Sequence, residues 1–181
     1  MATMKNPFKN LAAFDDCDDL NVIIETPKGS RNKYKYDTKQ CIFTLSKVLP
    51  AGSTFPYDFG YIPSTKGQDG DPLDVLVLMD EEVFPGCLIT ARLIGVIEGE
   101  QNDDGEKVRN DRLIAVASQS HDQRDIHSLD QLNPHLIEEI EEFFVDYHEL
   151  DGEKFKPVGR HGPHKARKLV DESLAAKKVK K

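Results

Sequence analysis

Several of the features that usually give a sequence away are missing. The chain of 181 residues has three cysteines, Cys17, Cys41 and Cys87. They are odd in number and widely spaced, with neither a CxxC pair nor a zinc-like array, so no disulfide framework is expected and the thiols read as reduced. No apolar run approaches membrane-spanning length, and the first twenty residues offer only the short patch LAAF, too brief for a signal-peptide core. A cytoplasmic protein with no membrane contact is expected. There is no repeat, no Ser/Gly- or Pro-rich linker and no GxxxxGK[ST] phosphate loop, so neither a solenoid nor a P-loop enzyme is indicated. One domain spanning residues 1–181 is expected, with an N-terminal arm over 1–18 and a basic helix and tail over 165–181.

What is present describes an ordinary globular protein, with 38% hydrophobic and 31% charged residues. A chain of this length can bury roughly 70% of its unfolded surface without staples. Net charge is −8, unevenly spread: residues 165–181 hold seven Lys/Arg against Asp171 and Glu172, a net of +5, which leaves −13 for residues 1–164. An acidic body repels nucleic-acid phosphates, so no nucleic-acid partner is expected, although cations can bridge such a surface to a polyanion.

The first part reads as short strands parted by turn signals. NVIIE (21–25), KYKYD (33–37) and CIFTLS (41–46) form a meander, and LDVLVLM (73–79), LITARLIGVIEG (88–99) and RLIAVAS (112–118) follow a glycine- and proline-punctuated aromatic segment. The segment between Gly86 and Gly99 is expected to bend or bulge. Strands with no helices between them argue against a parallel βαβ sheet and for a small antiparallel barrel. Helical periodicity appears late: Asn133 as N-cap and Pro134 at the first position precede Leu136, Ile137, Ile140, Phe143, Phe144, Tyr147 and Leu150 on one face. A second helix is expected from Pro163, carrying Ala166, Leu169, Val170 and Leu174. The fold class is α+β, mainly β: a barrel with C-terminal helices packed on it.

The stretch KGQDGDPLDVLVL (66–78) poses the chemical question. Gly70 gives a sharp turn its backbone freedom and Pro72 suits the first residue of a strand, so DGDPLD can aim Asp69, Asp71 and Asp74 into one cavity. Three carboxylates that close raise one another's pKa unless a cation neutralises them, and a hard divalent ion is the economical answer. The plain alternative is an acidic turn whose side chains cap backbone N–H groups. An EF-hand fails on position, because Leu73 and Asp74 stand where a ligand and a glycine are needed. His121-Asp122 suggests an HD phosphohydrolase only weakly, since that pair follows a strand. Glu25, Asp103 and Asp104 lie at neighbouring strand ends, while Lys33, Lys47, Arg112, Tyr147 and Lys154 supply bases and a phenol. Acids for metals beside donors for oxyanions make the kit of a phosphoryl-transfer site.

With VIIETPKGSRNKY, FPYDFGYIP, DGDPLDVLVL, RLIGVI, DDGE, RLIAV and FFVDY in order over about residues 20–160, the chain resembles the soluble family I inorganic pyrophosphatases. The resemblance implies a five-stranded barrel of OB-like form with flanking helices, and hydrolysis of pyrophosphate to two phosphates by a water activated in a site of several Mg²⁺ ions, with Mn²⁺ or Zn²⁺ as substitutes. It implies that Asp69, Asp74 and an acid of the 103–111 loop, Asp111 or one near it, hold metal, that Asp74 bridges two ions, and that Asp71 acts on the water. Glu25 and Asp103 are implied for ions that travel with substrate, and Lys33, Lys47, Arg112, Tyr147, His148 and Lys154 for the phosphates. A homo-oligomer, a hexamer in similar short chains, is also implied.

Several positions differ from the commonest family pattern: Lys47 for an arginine, Phe59 for a tyrosine, Asn110 for an acid, Arg112 for a lysine, His148 for a lysine and Lys35 for an acid. Whether Asn110 or Asp111 completes the metal site stays open at this level. Two other readings are a cation-dependent OB-like binding module without catalysis and a hydrolase of another phosphoanhydride.

Overall fold

The computed structural model describes residues 6–103 and 105–179, apart from the side chains of residues 103, 106 and 177–179. The elements are β1 (Leu20–Thr26), β2 (Asn32–Asp37), β3 (Ile42–Val48), β4 (Asp58–Tyr61), β5 (Asp74–Leu78), β6 (Leu88–Asp103), β7 (Glu106–Arg109), β8 (Arg112–Ala117), a 3₁₀ turn (Leu129–Gln131), α1 (Pro134–Glu149), β9 (Lys154–His161) and α2 (Pro163–Val179). β1, β4, β5, β8 and β6 are hydrogen-bonded in that order and β6 pairs back onto β1, so five strands close a ring. This is the OB-like barrel expected, but the meander expected of the first three strands does not form: β1 pairs with β4 and β6, and β2–β3 stand as a separate hairpin.

One pairing departs from the antiparallel expectation. β5 and β8 run parallel, Val75 opposite Leu113 and Val77 opposite Ala115. A parallel pair needs a long crossover, and β6 with β7 supplies it. The consequence for the site is direct: parallel strands start at the same end, so Asp74 and Arg112, the first residues of β5 and β8, lie side by side.

β5 and β8 are apolar along nearly their whole length because both faces are covered. Val75, Val77, Leu113 and Ala115 share a core with Ala166 and Val170 of α2. Leu76, Leu78, Ile114 and Val116 share another with Ile140 and Phe144 of α1. Asn133 caps α1 as expected, its Oδ1 accepting from the His135 N–H at 3.1 Å.

β6 bends where the sequence pointed, with register shifts at Leu93/Gly95 against β8 and at Glu98/Gly99 against β9. Gly99 is required there, since a Cβ would sit 2.3 Å from the Phe155 ring. β4, β7 and β9 have no clear sequence signature. β4 is only four residues inside an aromatic, glycine-bearing segment, and β9 carries Pro157 and Gly159 while exposing most of its residues, so neither alternation nor composition marks it.

Candidate active site

The turn between β4 and β5 is built by backbone geometry. Gly70 adopts φ +94°, and the Gly67 N–H donates to the Asp71 carbonyl at 2.6 Å. Thr65 Oγ1 accepts from the Leu73 N–H at 2.9 Å and donates to the Ile62 carbonyl at 2.6 Å. The result is a tight loop that fixes where its carboxylates leave the chain. Asp69 and Asp74 face a cavity of about 490 Å³ that Asn110 and Asp111 also line, with Leu169 and Ser173 of α2 forming another wall. Asp69 has its pKa raised by burial, with the Asp74 and Asp71 charges adding to the rise and the Asp71 N–H opposing it. Among the described residues Asp69 has no ion pair.

The other carboxylates are held by the chain's own cations. Asp71 is exposed and pairs with Lys35 at 2.8 Å. Arg112 Nη1 donates to Asp74 Oδ2, and Tyr61 is the cross-strand neighbour of Asp74 on β4. Asp111 Oδ1 accepts from Arg109 at 2.8 Å and from the Gly99 N–H at 3.1 Å. Asn110 gives its oxygen to Arg112 and its amide to Gln101. Asn110 is thus committed through both ends of its amide, and the Asp111 carboxylate is not free. Among the described residues no group of three or more His, Cys, Asp or Glu is arranged to hold a metal ion, and arginines and a lysine occupy part of the carboxylate set. The expectation on the Asp103 side chain lies outside the described residues.

Across Asp74 stands a cationic and aromatic wall. Lys33 and Lys47 are opposite one another on β2 and β3. Lys33 Nζ lies 4.0 Å from the Phe59 ring centroid and 5.4 Å from that of Tyr147, and Lys47 Nζ lies 3.6 Å from that of Tyr147. Two like charges side by side are costly unless anions answer them. Asp151 pairs with Lys47, and the charges of Asp74 and Glu25 act on Lys33.

Burial pulls Lys33 down to about 8, against the upward pull of those two carboxylates. Glu25 is pushed up to about 7 by burial, with the Tyr36 N–H, 2.8 Å from its Oε1, and the Lys33 charge working the other way. The Tyr147 phenol is raised by burial first and by Asp151 next, so it stays protonated and able to donate. Asp74 is the common member: its charge acts on Glu25, Lys33, Asp69 and Tyr147.

Arg112 and His148 occupy the floor. Arg112 is buried, and its Nη2 lies 3.1 Å from His148 Nε2. His148 stacks on Phe155 with centroids 5.0 Å apart and places Nδ1 3.1 Å from Glu153 Oε2. Burial and then the Arg112 charge lower the His148 pKa. Lys154 is exposed at the start of β9, opposite Asn102.

Comparison with known proteins gives the family. The family model for inorganic pyrophosphatase matches residues 22–178. The chain belongs to the inorganic pyrophosphatase family. The inorganic pyrophosphatase of a Nostoc species is 38% identical over 159 residues, covering 88% of this chain and 92% of that protein. The one from Halalkalibacterium halodurans is 39% identical over 156 residues, 86% of this chain and 93% of that protein. The crystal structure of the Thermus thermophilus inorganic pyrophosphatase superposes with a TM-score of 0.86 at 31% identity, covering 94% of this chain and 98% of that one.

For a pyrophosphatase the donor set fits a hard divalent ion at one place above all. Asp69 brings an exposed carboxylate that has no ion pair among the described residues, and Asp74, whose Oδ2 is taken by Arg112, lines the same cavity with one carboxylate oxygen uncommitted. Sequence reasoning missed the partners that occupy the remaining acids, Arg109, Gln101 and Glu153. It also missed Ser173, although a serine on the Ala166–Leu169–Val170 stripe of α2 is a visible signal of a polar group turned inward.

Proposed function

We propose that this chain hydrolyses inorganic pyrophosphate to two phosphates with a divalent cation, Mg²⁺ first and Mn²⁺ or Zn²⁺ as substitutes. The observation that carries the reading is the meeting, through Asp74, of a cavity lined by Asp69, Asn110 and Asp111 with a wall of Lys33, Lys47 and Tyr147. Such a pairing suits a small polyanion whose charge is met by metal on one side and protein donors on the other. The acid-lined cavity also favours this over an OB-like binding module, which would present exposed aromatics and a basic groove.

In the proposed mechanism Asp69 and Asp74 would hold the cation, and Glu25 would serve ions that arrive with substrate. A divalent ion there supplies positive charge that acidifies a water and neutralises phosphate oxygens. Lys33 and Lys47 fix one phosphoryl group by charge. Lys33, at about 8, is mostly protonated at neutral pH, and an incoming polyanion holds it so. Tyr147 donates its proton in a hydrogen bond to the leaving phosphate oxygen. Asp71, exposed at the tip of the turn, takes the proton of the attacking water, while Lys35 releases it as the site fills. Lys154 stands at the rim to meet the outer phosphate. Arg112 and His148, with their hydrogen bonds spent on Asp74, Asn110 and Glu153, position the floor.

The same reading takes the protein to be cytoplasmic, with no nucleic-acid partner. Among the described residues no helix is long and apolar enough to cross a membrane, and the acidic body supports the rest. A homo-oligomer belongs to it as well. Leu45, Val48 and Phe84 are exposed apolar side chains that support an interface.

Phosphate release from pyrophosphate with and without Mg²⁺ tests the activity. Turnover is expected only with metal, and Asp74→Asn is expected to lose about two orders of magnitude, the scale of removing a preorganised electrostatic group. No metal-dependent turnover of the native chain ends the enzyme reading. Equal rates for Asp74→Asn end the site assignment. Faster turnover of a nucleoside triphosphate than of pyrophosphate favours the other phosphoanhydride reading.

A further inference from the structure

Asn110, Arg112 and His148, three of the positions that differ from the commonest family pattern, are joined in one closed ring of hydrogen bonds. Arg112 Nη1 donates to Asn110 Oδ1, the Asn110 amide donates to Gln101 Oε1, and the Gln101 amide donates to Glu153 Oε2. From the other side Arg112 Nη2 reaches His148 Nε2 at 3.1 Å, and His148 Nδ1 lies 3.1 Å from Glu153 Oε2. A guanidinium has only donors, so Nε2 must accept, which places the imidazole proton on Nδ1, donated to Glu153.

Every link then has one donor and one acceptor. An aspartate at 110 has no amide to give Gln101, and a lysine at 148 has no lone pair for Arg112. The three residues thus form a single unit whose members require each other.

The ring clamps the Arg112 guanidinium beside Asp74. Phe144 and Phe155 flank it, with ring centroids 4.9 and 5.7 Å from Cζ, and the parallel register of β5 and β8 sets the two side chains next to one another. The side chain is 4% exposed, and its Nε is buried with no hydrogen-bond partner among the described residues. The group is held there by the frame and not by full satisfaction of its own donors. Its charge is permanent, since a guanidinium does not deprotonate in proteins.

We propose that Arg112 stands in for one divalent cation. It binds Asp74 Oδ2 from the protein side, so Asp74 serves a single ion through its other oxygen, and the substrate-free site holds one tight divalent ion on Asp69 and Asp74 with no bridged metal pair. Asp111, taken by Arg109 and the Gly99 N–H, does not rebuild the second position. The proposal rests on the metal-dependent reading above and concerns binding of metal alone.

The test is a titration of the full chain with Mn²⁺ in the absence of pyrophosphate, followed by electron paramagnetic resonance. The wild type is expected to bind one tight Mn²⁺ with the spectrum of an isolated ion. Arg112→Gln is expected to gain a second tight ion and the signature of an exchange-coupled pair. A coupled pair in the wild type overturns the proposal, and so does an Arg112→Gln variant that folds and still binds a single ion. A coupled pair in the wild type is decisive against the proposal even if the variant fails to fold. Asp69→Asn is expected to weaken the tight ion at least tenfold, and unchanged affinity also overturns the assignment. Pyrophosphate turnover is measured on the same samples. A coupled pair with turnover rejects only the stand-in role, and an isolated ion without turnover rejects only the pyrophosphatase activity.

Discussion

Glu25, buried, and Lys33, half-buried, are charges of opposite sign whose pKa values move toward each other, to about 7 and about 8. The folded chain holds the Glu25 proton more tightly than the unfolded chain, whose carboxyl titrates near 4.5. Stability from this group is therefore greatest below 4.5 and falls as pH rises through 7. For Lys33 the folded chain loses its proton earlier than the unfolded 10.5, so its cost is full below 8 and lifts as pH climbs to 10.5. The metal-free protein thus bears the pair's largest cost between pH 7 and 8, where both groups are charged. Glu25→Gln is expected to flatten the decline in stability between pH 4.5 and 7 by about 1–3 kcal/mol, read by urea denaturation at a series of pH values in chelator. An unchanged slope would reject the buried carboxyl as its source. The sequence nominates Glu25 by its place at a strand end and Lys33 as a base, yet the rings packed around the Lys33 ammonium, Phe55, Phe59 and Tyr147, are brought over from other segments. The same limit kept Asn110 and Asp111 undecided, because Gln101, Glu153 and the Gly99 N–H act from across the sheet.

The backbone at the start of the carboxylate turn is held from outside by α2. Ser173 Oγ accepts from the Lys66 N–H at 2.6 Å and donates to the Lys66 carbonyl at 2.9 Å, a two-way clamp at the point where the turn begins. Loss of the hydroxyl leaves a part-buried N–H and C=O without partners, at a cost of about 1–3 kcal/mol. Ser173→Ala is expected to speed amide exchange at Gly67 and Gly70 and to weaken Mg²⁺ binding severalfold, whereas Ser173→Thr keeps the oxygen and restores both. Exchange at Gly67 that matches the wild type would show that the loop's own bonds suffice. Helix α2 is legible from its apolar spacing, and so are β1, β2, β3, β5, β6 and β8, whose β-branched or, in β2, tyrosine-bearing runs are bounded by turn residues. What spacing does not convey is that α2 closes the cavity with Leu169 and Ser173, or that β9 joins the long β6 as an added strand. The parallel β5–β8 pairing is likewise invisible locally, since it depends on the crossover and not on either strand's own pattern.

At the scale of the whole molecule, the two cores share their wall. Val75 and Leu113 bury toward α2 while Leu76 and Ile114, one residue on, bury toward α1, so neither helix can leave without exposing the strands that support the other. That interlock is why residues along the entire chain are proposed as one domain, despite the acidic body and the basic end. It predicts a single calorimetric transition with van't Hoff and calorimetric enthalpies in a ratio near one. The exposed Leu45, Val48 and Phe84 carry a second consequence if they are covered by copies of the same chain. Association that favours the folded state then raises the midpoint with protein concentration. Scanning calorimetry over about a hundredfold range of concentration checks both. Two resolved transitions reject the single cooperative domain, since separately melting cores cannot share β5 and β8. A single transition with a fixed midpoint keeps the domain and rejects the oligomer, because dissociation coupled to unfolding must respond to mass action.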